Sequence, residues 1–324
     1  MKRSIKKILV TGALGQIGTE LVLALRKKYG VNNVIASDIK HKENNPLTKN
    51  GPFEILDILK LNDIEKTIEK YEIDTIFHLA AILSAVGEKD PALCWNVNMT
   101  GTLNILNSSI KYNLLRVIIP SSIAVWGKGV PKYMVPQESV LKPSSMYGVT
   151  KVAGELLCDY YVQKFGVDCR GLRYPGIISS ETLPGGGTTD YAVEIFYEAV
   201  KNNYYNCFLK PETELPMMYM PDCIKATIDL AEAEFEDLKH HSDFNVAAMT
   251  FDAQTLAKEI QKHLPNFIIE YNPDYRQAIA DSWPASIDDS AAREEWNWKP
   301  NYDLGAMTKD MLEKLTKKFK DGLI

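Results

Sequence analysis

The sequence lacks the residue patterns that bind zinc or form a disulfide framework. Its five cysteines are scattered without a Cys-x-x-Cys pair, and its five histidines never occur at His-x-x-x-His spacing. No metal is therefore expected. An odd number of isolated cysteines is typical of reduced thiols, so we expect a cytoplasmic protein.

Long apolar runs and an excess of positive charge are also missing. No stretch approaches the roughly 20 apolar residues that cross a bilayer, and the basic N-terminus leads directly into a short apolar segment. The formal net charge of −5 disfavours a nucleic-acid surface. We expect no targeting segment, membrane or nucleic-acid partner. The 324 residues suffice for one or two globular domains. We expect the ligand to be a small molecule.

The first half of the chain alternates short apolar runs with longer amphipathic segments. Runs such as KKILVTG and DTIFHLA predict strands that are covered on both faces. Strands separated by helices pair in parallel through right-handed crossovers. A further helix is predicted over 146–166, and DCRGLRYPGI predicts a sixth strand. The sequence thus predicts an α/β fold with a Rossmann-type doubly wound parallel sheet.

A glycine-rich turn follows the first predicted strand. Gly12 allows a tight turn, Gly15 lets the backbone approach a pyrophosphate, and Gly18 allows close helix packing. Gln16 and Ile17 lie in the same turn, where the free N–H groups of a helix start suit phosphates. The spacing is one residue wider than the commoner fingerprint. The turn predicts a dinucleotide cofactor.

Acidic residues end the second and third predicted strands. Asp38 follows Gly18 by 20 residues. A carboxylate there bonds ribose hydroxyls and repels a 2′-phosphate, which favours NAD over NADP. The alternative is that Asp38 only caps a turn. Asp57 and Ile58 are predicted to flank the adenine, although a strand-end aspartate is often only a turn residue.

Tyr147 and Lys151 lie four residues apart on the predicted helix 146–166 and so share a face. An ammonium beside a phenol lowers the tyrosine pKa from about 10. Such a tyrosine can take a proton from an alcohol near neutral pH. Ser121 and Ser122 end the fifth strand, at the sheet edge where ligands bind, and the Ser122 hydroxyl can bridge the substrate oxygen. The alternative is an ordinary solvated Tyr–Lys pair.

The pattern of the chain changes after about Ile178, where loops become more frequent. We assign residues 1–178 to an NAD-binding Rossmann domain. Residues 179–324 are assigned mainly to a smaller C-terminal substrate-binding lobe, with some segments returning to the Rossmann domain.

These motifs together resemble the extended short-chain dehydrogenase/reductase family. The resemblance also includes HLAA (78–81), PSSIAVWG (120–127) and RYPGI (173–177). It implies that Lys151 also bonds the nicotinamide ribose, and that Asn98 kinks its helix and holds a water of the proton relay. The further cofactor contacts that it implies are Leu79, Ala80, Ala81, Asn98, Ser121, Tyr147, Tyr174, Pro175 and Ile177.

Three segments resemble the branch of this family that oxidises L-threonine with NAD. They are 185–200, 215–230 and 276–300. The resemblance implies that the 3-hydroxyl is oxidised to give 2-amino-3-ketobutyrate, a step of threonine catabolism to glycine or aminoacetone.

The loop 185–190 is the predicted site of the substrate carboxylate. Gly187, Thr188 and Thr189 precede a helix, whose free N–H groups suit a carboxylate. The alternative is a plain loop with a helix-capping residue.

Other substrate contacts are predicted outside that loop. Ser84 follows the fourth strand and either bonds the same carboxylate or forms an ST-turn. Trp283 either closes the pocket as a lid or packs structurally. Ser122 and Tyr147 complete the predicted substrate site.

Two other functions share part of this pattern. A nucleotide-sugar 4-epimerase or dehydratase has the same fold, cofactor and Tyr–Lys pair. Such enzymes usually carry an Asn after the Arg-Tyr of the sixth strand, whereas Pro175 and Gly176 follow here. A non-catalytic NAD-sensing regulator typically loses the tyrosine or lysine, and both are present.

The resemblance also implies a homodimer. Helices 88–113 and 146–166 would lie side by side, and relatives pair them into a four-helix interface. The same faces could instead be buried within one chain. The candidate contacts are Leu93, Val97, Leu156, Leu157 and Tyr160.

Overall fold

The computed structural model describes residues 4–43, 45–183 and 187–324. Its strands are β1 (Ile8–Thr11), β2 (Val34–Asp38), β3 (Phe53–Ile55), β4 (Thr75–His78), β5 (Arg116–Ile118), β6 (Ser121–Ser122), β7 (Cys169–Arg170), β8 (Leu172–Tyr174), β9 (Gly176–Ile178), β10 (Tyr204–Cys207), β11 (Glu214–Tyr219), β12 (Phe244–Asn245), β13 (Met249–Asp252) and β14 (Ile268–Tyr271). Its helices are α1 (Gln16–Tyr29), α2 (Pro46–Lys49), α3 (Leu61–Tyr71), α4 (Ser84–Lys89), α5 (Pro91–Trp95), α6 (Gly101–Lys111), α7 (Met146–Phe165), α8 (Tyr191–Asn202), α9 (Met220–Glu232), α10 (Ala253–Gln261), α11 (Arg276–Asp281), α12 (Ser290–Trp296) and α13 (Leu304–Lys320).

The central sheet has six parallel strands in the order β3-β2-β1-β4-β5-β7. All four residues of β1 are buried, as expected for a strand covered by helices on both faces. The strand order reverses between β1 and β4, and ligands of such sheets bind outside the strand ends at this point. The predicted α/β fold with a Rossmann-type parallel sheet is therefore confirmed.

The predicted sixth strand is wrong as a single element. Its sequence divides into β7 in the central sheet, β8 beside β6 and β12, and β9 beside β11. Gly171 interrupts the run where backbones approach closely, since a Cβ there would lie 2.3 Å from the Ser242 carbonyl oxygen. Pro175 interrupts it again, because proline has no N–H to donate to a neighbouring strand.

The predicted helix 88–113 is also divided. Asp90 separates α4 from α5 and caps α5 by accepting a hydrogen bond from the Leu93 N–H. A π-helical segment, Asn96–Thr100, joins α5 to α6. The helix predicted over 146–166 agrees with α7, which Ser145 caps at its N-terminus and Gly166 ends in the left-handed conformation.

The C-terminal half contributes to the same cores as the N-terminal half. Helix α9 packs against α1, and Phe244 and Trp298 are buried in one cluster with Val10 of β1. A second cluster is built around α8, α10 and α13. The boundary at residue 178 therefore stays a prediction. The sequence pattern predicted an irregular section late in the chain. The structure instead contains helices α10 to α13 there.

No helix within the described ranges combines the length and apolar character needed to cross a membrane.

Candidate active site

The glycine turn forms a backbone cradle at the start of α1. Gly12 has φ +67, and a Cβ there would lie 2.7 Å from the Ala80 nitrogen. At Gly18 a Cβ would lie 2.3 Å from the Gly12 carbonyl oxygen, so neither position accepts a side chain. Gln16 Nε2 is buried without a hydrogen-bond partner among the described residues. This unpaired donor at a helix start is suited to a pyrophosphate.

Asp38 turns its carboxylate toward the glycine turn. Its Oδ2 accepts a hydrogen bond from the Leu14 N–H at 3.0 Å. The side chain lines the same cleft as Gly12 and Gly15. An acceptor at this position is suited to ribose hydroxyls.

One cleft of about 350 Å³ brings most of the predicted site together. The predicted residues that line it are Gly12, Gly15, Gln16, Ile17, Gly18, Asp38, Leu79, Ala81, Ser84, Ser121, Ser122, Tyr147, Lys151, Tyr174, Pro175, Ile177, Gly187, Thr188, Thr189 and Trp283. Asp190 of the predicted loop 185–190 also lines it, and the lining residues to which sequence reasoning gave no role are His78, Leu83, Pro120, Ile123 and Gly176. The cleft is thus one continuous space for cofactor and substrate.

Four predicted cofactor contacts do not line this cleft, namely Asp57, Ile58, Ala80 and Asn98. Asp57 Oδ1 accepts a hydrogen bond from the Leu59 N–H at 3.0 Å, as a turn residue does. Ile58 is buried against Gly101. A Cβ added at Gly101 would lie 2.4 Å from the Cδ1 atom of Ile58. The adenine contact proposed for this pair stays a prediction.

A second, smaller cavity lies behind Lys151. It has a volume of about 30 Å³, which is large enough for a water molecule. Ala80 and Asn98 line this cavity rather than the main cleft, while Lys151 lines both.

Asn98 lies in the π-helical segment and holds the chain that follows β4. Its Oδ1 accepts a hydrogen bond from the Ile82 N–H at 2.8 Å. Its Nδ2 donates to the Ile82 carbonyl oxygen at 3.1 Å and to Thr150 Oγ1 at 3.0 Å. Asn98 therefore links the π-helical segment to the chain that follows β4 and to α7, where Thr150 is the residue before Lys151. π-Helical turns are frequent at functional sites.

The electrostatics of Tyr147 differ from the prediction. Burial raises the pKa of Tyr147 to about 12, whereas the hydrogen bond with Ser122 acts to lower it. Lys151 Nζ lies 5.5 Å from the centroid of the tyrosine ring and donates to the Pro120 carbonyl oxygen at 2.6 Å. The prediction that Lys151 lowers the tyrosine pKa is therefore wrong, because burial is the largest influence on this phenol and raises its pKa.

The pKa of Lys151 is also shifted from its ordinary value. Burial lowers its pKa to about 8, and Glu155 is the largest opposing influence. The ammonium still predominates at neutral pH, since the pKa exceeds 7.

His78 is a buried polar residue at the end of β4 that sequence reasoning left without a role. Its Nδ1 is 2.8 Å from Thr11 Oγ1. Burial, with a smaller contribution from the Lys151 charge, lowers its pKa to about 3. The ring is therefore neutral at physiological pH. Its position at a strand end in HLAA was the available sequence signal.

The described part of the loop 185–190 closes one side of the cleft. The Gly187 N–H donates to the Asp190 carboxylate, and Thr188 is buried. Gly176 faces Thr189, since a Cβ at Gly176 would lie 2.8 Å from the Thr189 Cβ. Gly185 and Gly186, which belonged to the predicted carboxylate site, lie outside the described residues.

Ser84 and Trp283 enter the cleft from different elements. Ser84 is the first residue of α4. Trp283 is 8% exposed and belongs to the core around α8, so it is packed as well as lining the cleft. Its carbonyl oxygen accepts a hydrogen bond from Lys132 Nζ at 3.1 Å.

The family profile and a curated relative that match this chain both indicate the same family. The profile of the NAD dependent epimerase/dehydratase family matches residues 8–247. An uncharacterised epimerase/dehydratase of Staphylococcus aureus (strain USA300) is 49% identical over 97% of this chain and 98% of its own length.

The solved structures that resemble this chain include two with named activities. An L-threonine dehydrogenase from Clostridium difficile superposes with a TM-score of 0.96 at 53% identity, covering 98% of this chain and 99% of that one. A monomeric L-threonine 3-dehydrogenase from a metagenome has a TM-score of 0.92 at 50% identity, covering 96% and 99%. The glycine cradle and the Tyr147 cleft agree with these comparisons. The chain belongs to the NAD dependent epimerase/dehydratase family, within the extended short-chain dehydrogenases/reductases. It is an enzyme of oxidoreductase/epimerase type, and its cofactor is NAD(H).

Proposed function

We propose that the protein oxidises the 3-hydroxyl of L-threonine to a ketone, giving 2-amino-3-ketobutyrate. The observation that carries this proposal is the juxtaposition of Tyr147 and Ser122 with Thr188 and Thr189 in one cleft. Two structural relatives at 50% identity or more are described as L-threonine dehydrogenases.

The cofactor would occupy the part of the cleft that the glycine turn and Asp38 line. The cradle meets its requirements, since Gly12 and Gly18 keep the backbone accessible and Gln16 offers an unpaired buried donor. Asp38 would accept from the ribose. When bound, NAD supplies the hydride acceptor for C3 of the substrate and a positively charged nicotinamide ring.

Tyr147 would take the proton of the substrate hydroxyl. Its phenol is protonated at neutral pH, because burial raises its pKa to about 12. Proton uptake therefore requires stabilisation of the phenolate. The Ser122 hydroxyl stabilises it through a hydrogen bond, and the Lys151 ammonium and any cation in the cleft act in the same direction.

The substrate carboxylate would lie toward Thr188, Thr189 and Ser84. Their hydroxyls are hydrogen-bond donors, and they line the same cleft as Tyr147. Trp283 would cover the substrate's apolar methyl group. This placement orients C3 toward Tyr147, which holds the reacting atoms in position.

A nucleotide-sugar 4-epimerase or dehydratase is the competing proposal, and the names of the family and the curated relatives favour it. The packing at Gly176 argues against it. That position cannot carry the asparagine typical of those enzymes without displacing Thr189 and Met217, whose Sδ lies 2.4 Å from the site of a Cβ.

The decisive experiment is a substrate screen that follows NADH absorbance and product formation. L-Threonine, L-serine, L-allo-threonine, UDP-glucose and UDP-galactose are compared, with NAD and with NADP. We expect turnover of L-threonine with NAD. Conversion of a UDP-sugar without turnover of threonine would establish the epimerase instead, and NAD binding without any turnover would favour a regulator.

We also propose that two copies associate through α5, α6 and α7. Apolar side chains are exposed there, among them Leu93 at 41%, Leu156 at 63% and Tyr160 at 52%. We expect Leu156→Asp to shift the sedimentation coefficient from dimer to monomer, whereas Leu323→Asp, at another exposed site, should not. A monomeric unmodified protein would refute the proposal, and one structural relative is described as monomeric.

A further inference from the structure

Residues 120–122 run from the end of β5 into β6 and lie against three successive turns of α7. Tyr147 lines the same cleft as Ser122, which acts to lower the pKa of the phenol. The ammonium of Lys151 donates to the Pro120 carbonyl oxygen at 2.6 Å. One turn further along, the Ser121 hydroxyl donates to Glu155 Oε1. The 147, 151 and 155 positions share one face of the helix.

Glu155 is a buried carboxylate to which the proposed chemistry assigns no role. It is 5% exposed. Arg173 of β8 pairs with it through two hydrogen bonds, Nε to Oε1 at 3.0 Å and Nη2 to Oε2 at 2.9 Å. Strands β6 and β8 are neighbours, with Ser121 opposite Arg173. The carboxylate therefore joins α7 to β6 and β8, which carry Ser121, Ser122 and Tyr174 of the cleft.

Glu155 also faces Lys151 across the small cavity behind the cleft. It is the largest influence that opposes the effect of burial on that ammonium. The titratable groups that face Lys151 are Tyr147, Glu155 and Cys158 on α7, Cys94 on α5 and His78 on β4. Of these, Glu155 alone is a carboxylate.

We propose that Glu155 is a positioning residue of the active site: it keeps residues 120–122 aligned with Tyr147 and Lys151, and its negative charge holds the proton on Lys151. Arg173 makes the burial of this carboxylate possible by pairing with it. The kinetic part of the proposal rests on the proposed alcohol oxidation. The effect of the Glu155 charge on the Lys151 ammonium does not depend on that reaction.

Glu155→Gln tests the charge, because glutamine keeps the size and one acceptor. Lys151 is titrated in the unliganded protein by NMR of ¹³C-labelled lysine, with the signal assigned from Lys151→Arg. We expect the pKa of Lys151 to fall by about one pH unit in Glu155→Gln, since a nearby opposite charge has been removed.

Asp243→Asn is the matched control. Asp243 accepts from the same Arg173 Nη2 at 3.3 Å but does not line the cavity of Lys151. We expect the Lys151 titration and turnover to stay as in the unmodified protein. An unchanged titration in Glu155→Gln, or an equal shift in both variants, would overturn the electrostatic role.

Ser121→Ala tests the alignment and keeps the Glu155–Arg173 pair, so it remains informative if Glu155→Gln does not fold. We expect kcat to fall about tenfold through misplacement of Ser122, with a smaller change in KM. An unchanged kcat would overturn the alignment role. If the unmodified protein does not oxidise threonine, the proposed function fails, whereas the NMR titration still decides the role of Glu155.

Discussion

Lys151 is hydrogen-bonded to Pro120, with 2.6 Å between Nζ and the carbonyl oxygen. The carbonyl belongs to the segment that carries Ser122, so the lysine connects α7 to the chain that follows β5. Lys151 lines the cleft together with Tyr147 and Ser122.

Lys151→Ala is expected to reduce both turnover and NAD affinity. The substitution removes a charge that stabilises the Tyr147 phenolate and a donor that lines the cofactor cleft. Stopped-flow NAD titration and steady-state kinetics measure the two effects separately. Exposed Lys309→Ala, on α13, serves as the control. A variant that binds NAD normally would exclude the cofactor contact.

Tyr147→Phe is expected to lower kcat by about 10²–10⁴-fold, the usual contribution of a general acid–base group. NAD affinity should stay nearly unchanged, because only the phenolic oxygen is removed. Tyr160→Phe on the exposed face of the same helix is the matched control. Retention of turnover in Tyr147→Phe would assign the proton transfer to another group.

Asp38→Ala is expected to narrow the preference for NAD over NADP. The carboxylate that would repel a 2′-phosphate is removed. A change of about tenfold in the ratio of kcat/KM values, equivalent to about 1.4 kcal/mol, is expected. The measurement is kcat/KM for both cofactors with the same alcohol. Equal use of both cofactors by the unmodified protein would contradict the assignment.

Thr189→Ala is expected to raise KM for threonine about tenfold, as for the loss of a hydrogen bond to a charged group. NAD affinity should change less, because the contact assigned to Thr189 is with the substrate carboxylate. Thr255→Ala, at an exposed position of α10, is the control. If KM is unchanged, or if only NAD binding is lost, the carboxylate lies elsewhere, and Ser84 is then the next position to replace.

His78 should make the fold sensitive to acid. Its pKa is about 3 in the folded protein and 6.5 ordinarily. Between these values the unfolded chain binds a proton that the folded protein does not, so stability is lost as pH falls from 6.5 toward 3. The loss approaches about 1.4 kcal/mol per pH unit.

Urea unfolding at pH 7 and pH 4.5 measures this effect. His78→Gln should show a smaller fall in the free energy of unfolding between the two pH values than the unmodified protein. His263→Gln, at an exposed position, controls for the general effect of losing a histidine. The same fall in His78→Gln as in the unmodified protein would show that other groups cause the acid sensitivity.

Several features follow from the sequence alone because they depend on neighbouring residues. The glycine turn, the Tyr147–Lys151 spacing and helix α7 are local patterns, and hydrophobic runs with intervening helices predict a parallel sheet.

Other features depend on residues far apart in the chain, and only the tertiary structure decides them. Residues 169–178 divide among three sheets because β11 and β12, from the C-terminal half, pair with β9 and β8. The Lys151 ammonium lies against Pro120, and burial reverses the expected shift of Tyr147. Burial and pairing are properties of the packed chain, so spacing alone predicts which side chains meet, but not the pKa values or partners that packing imposes.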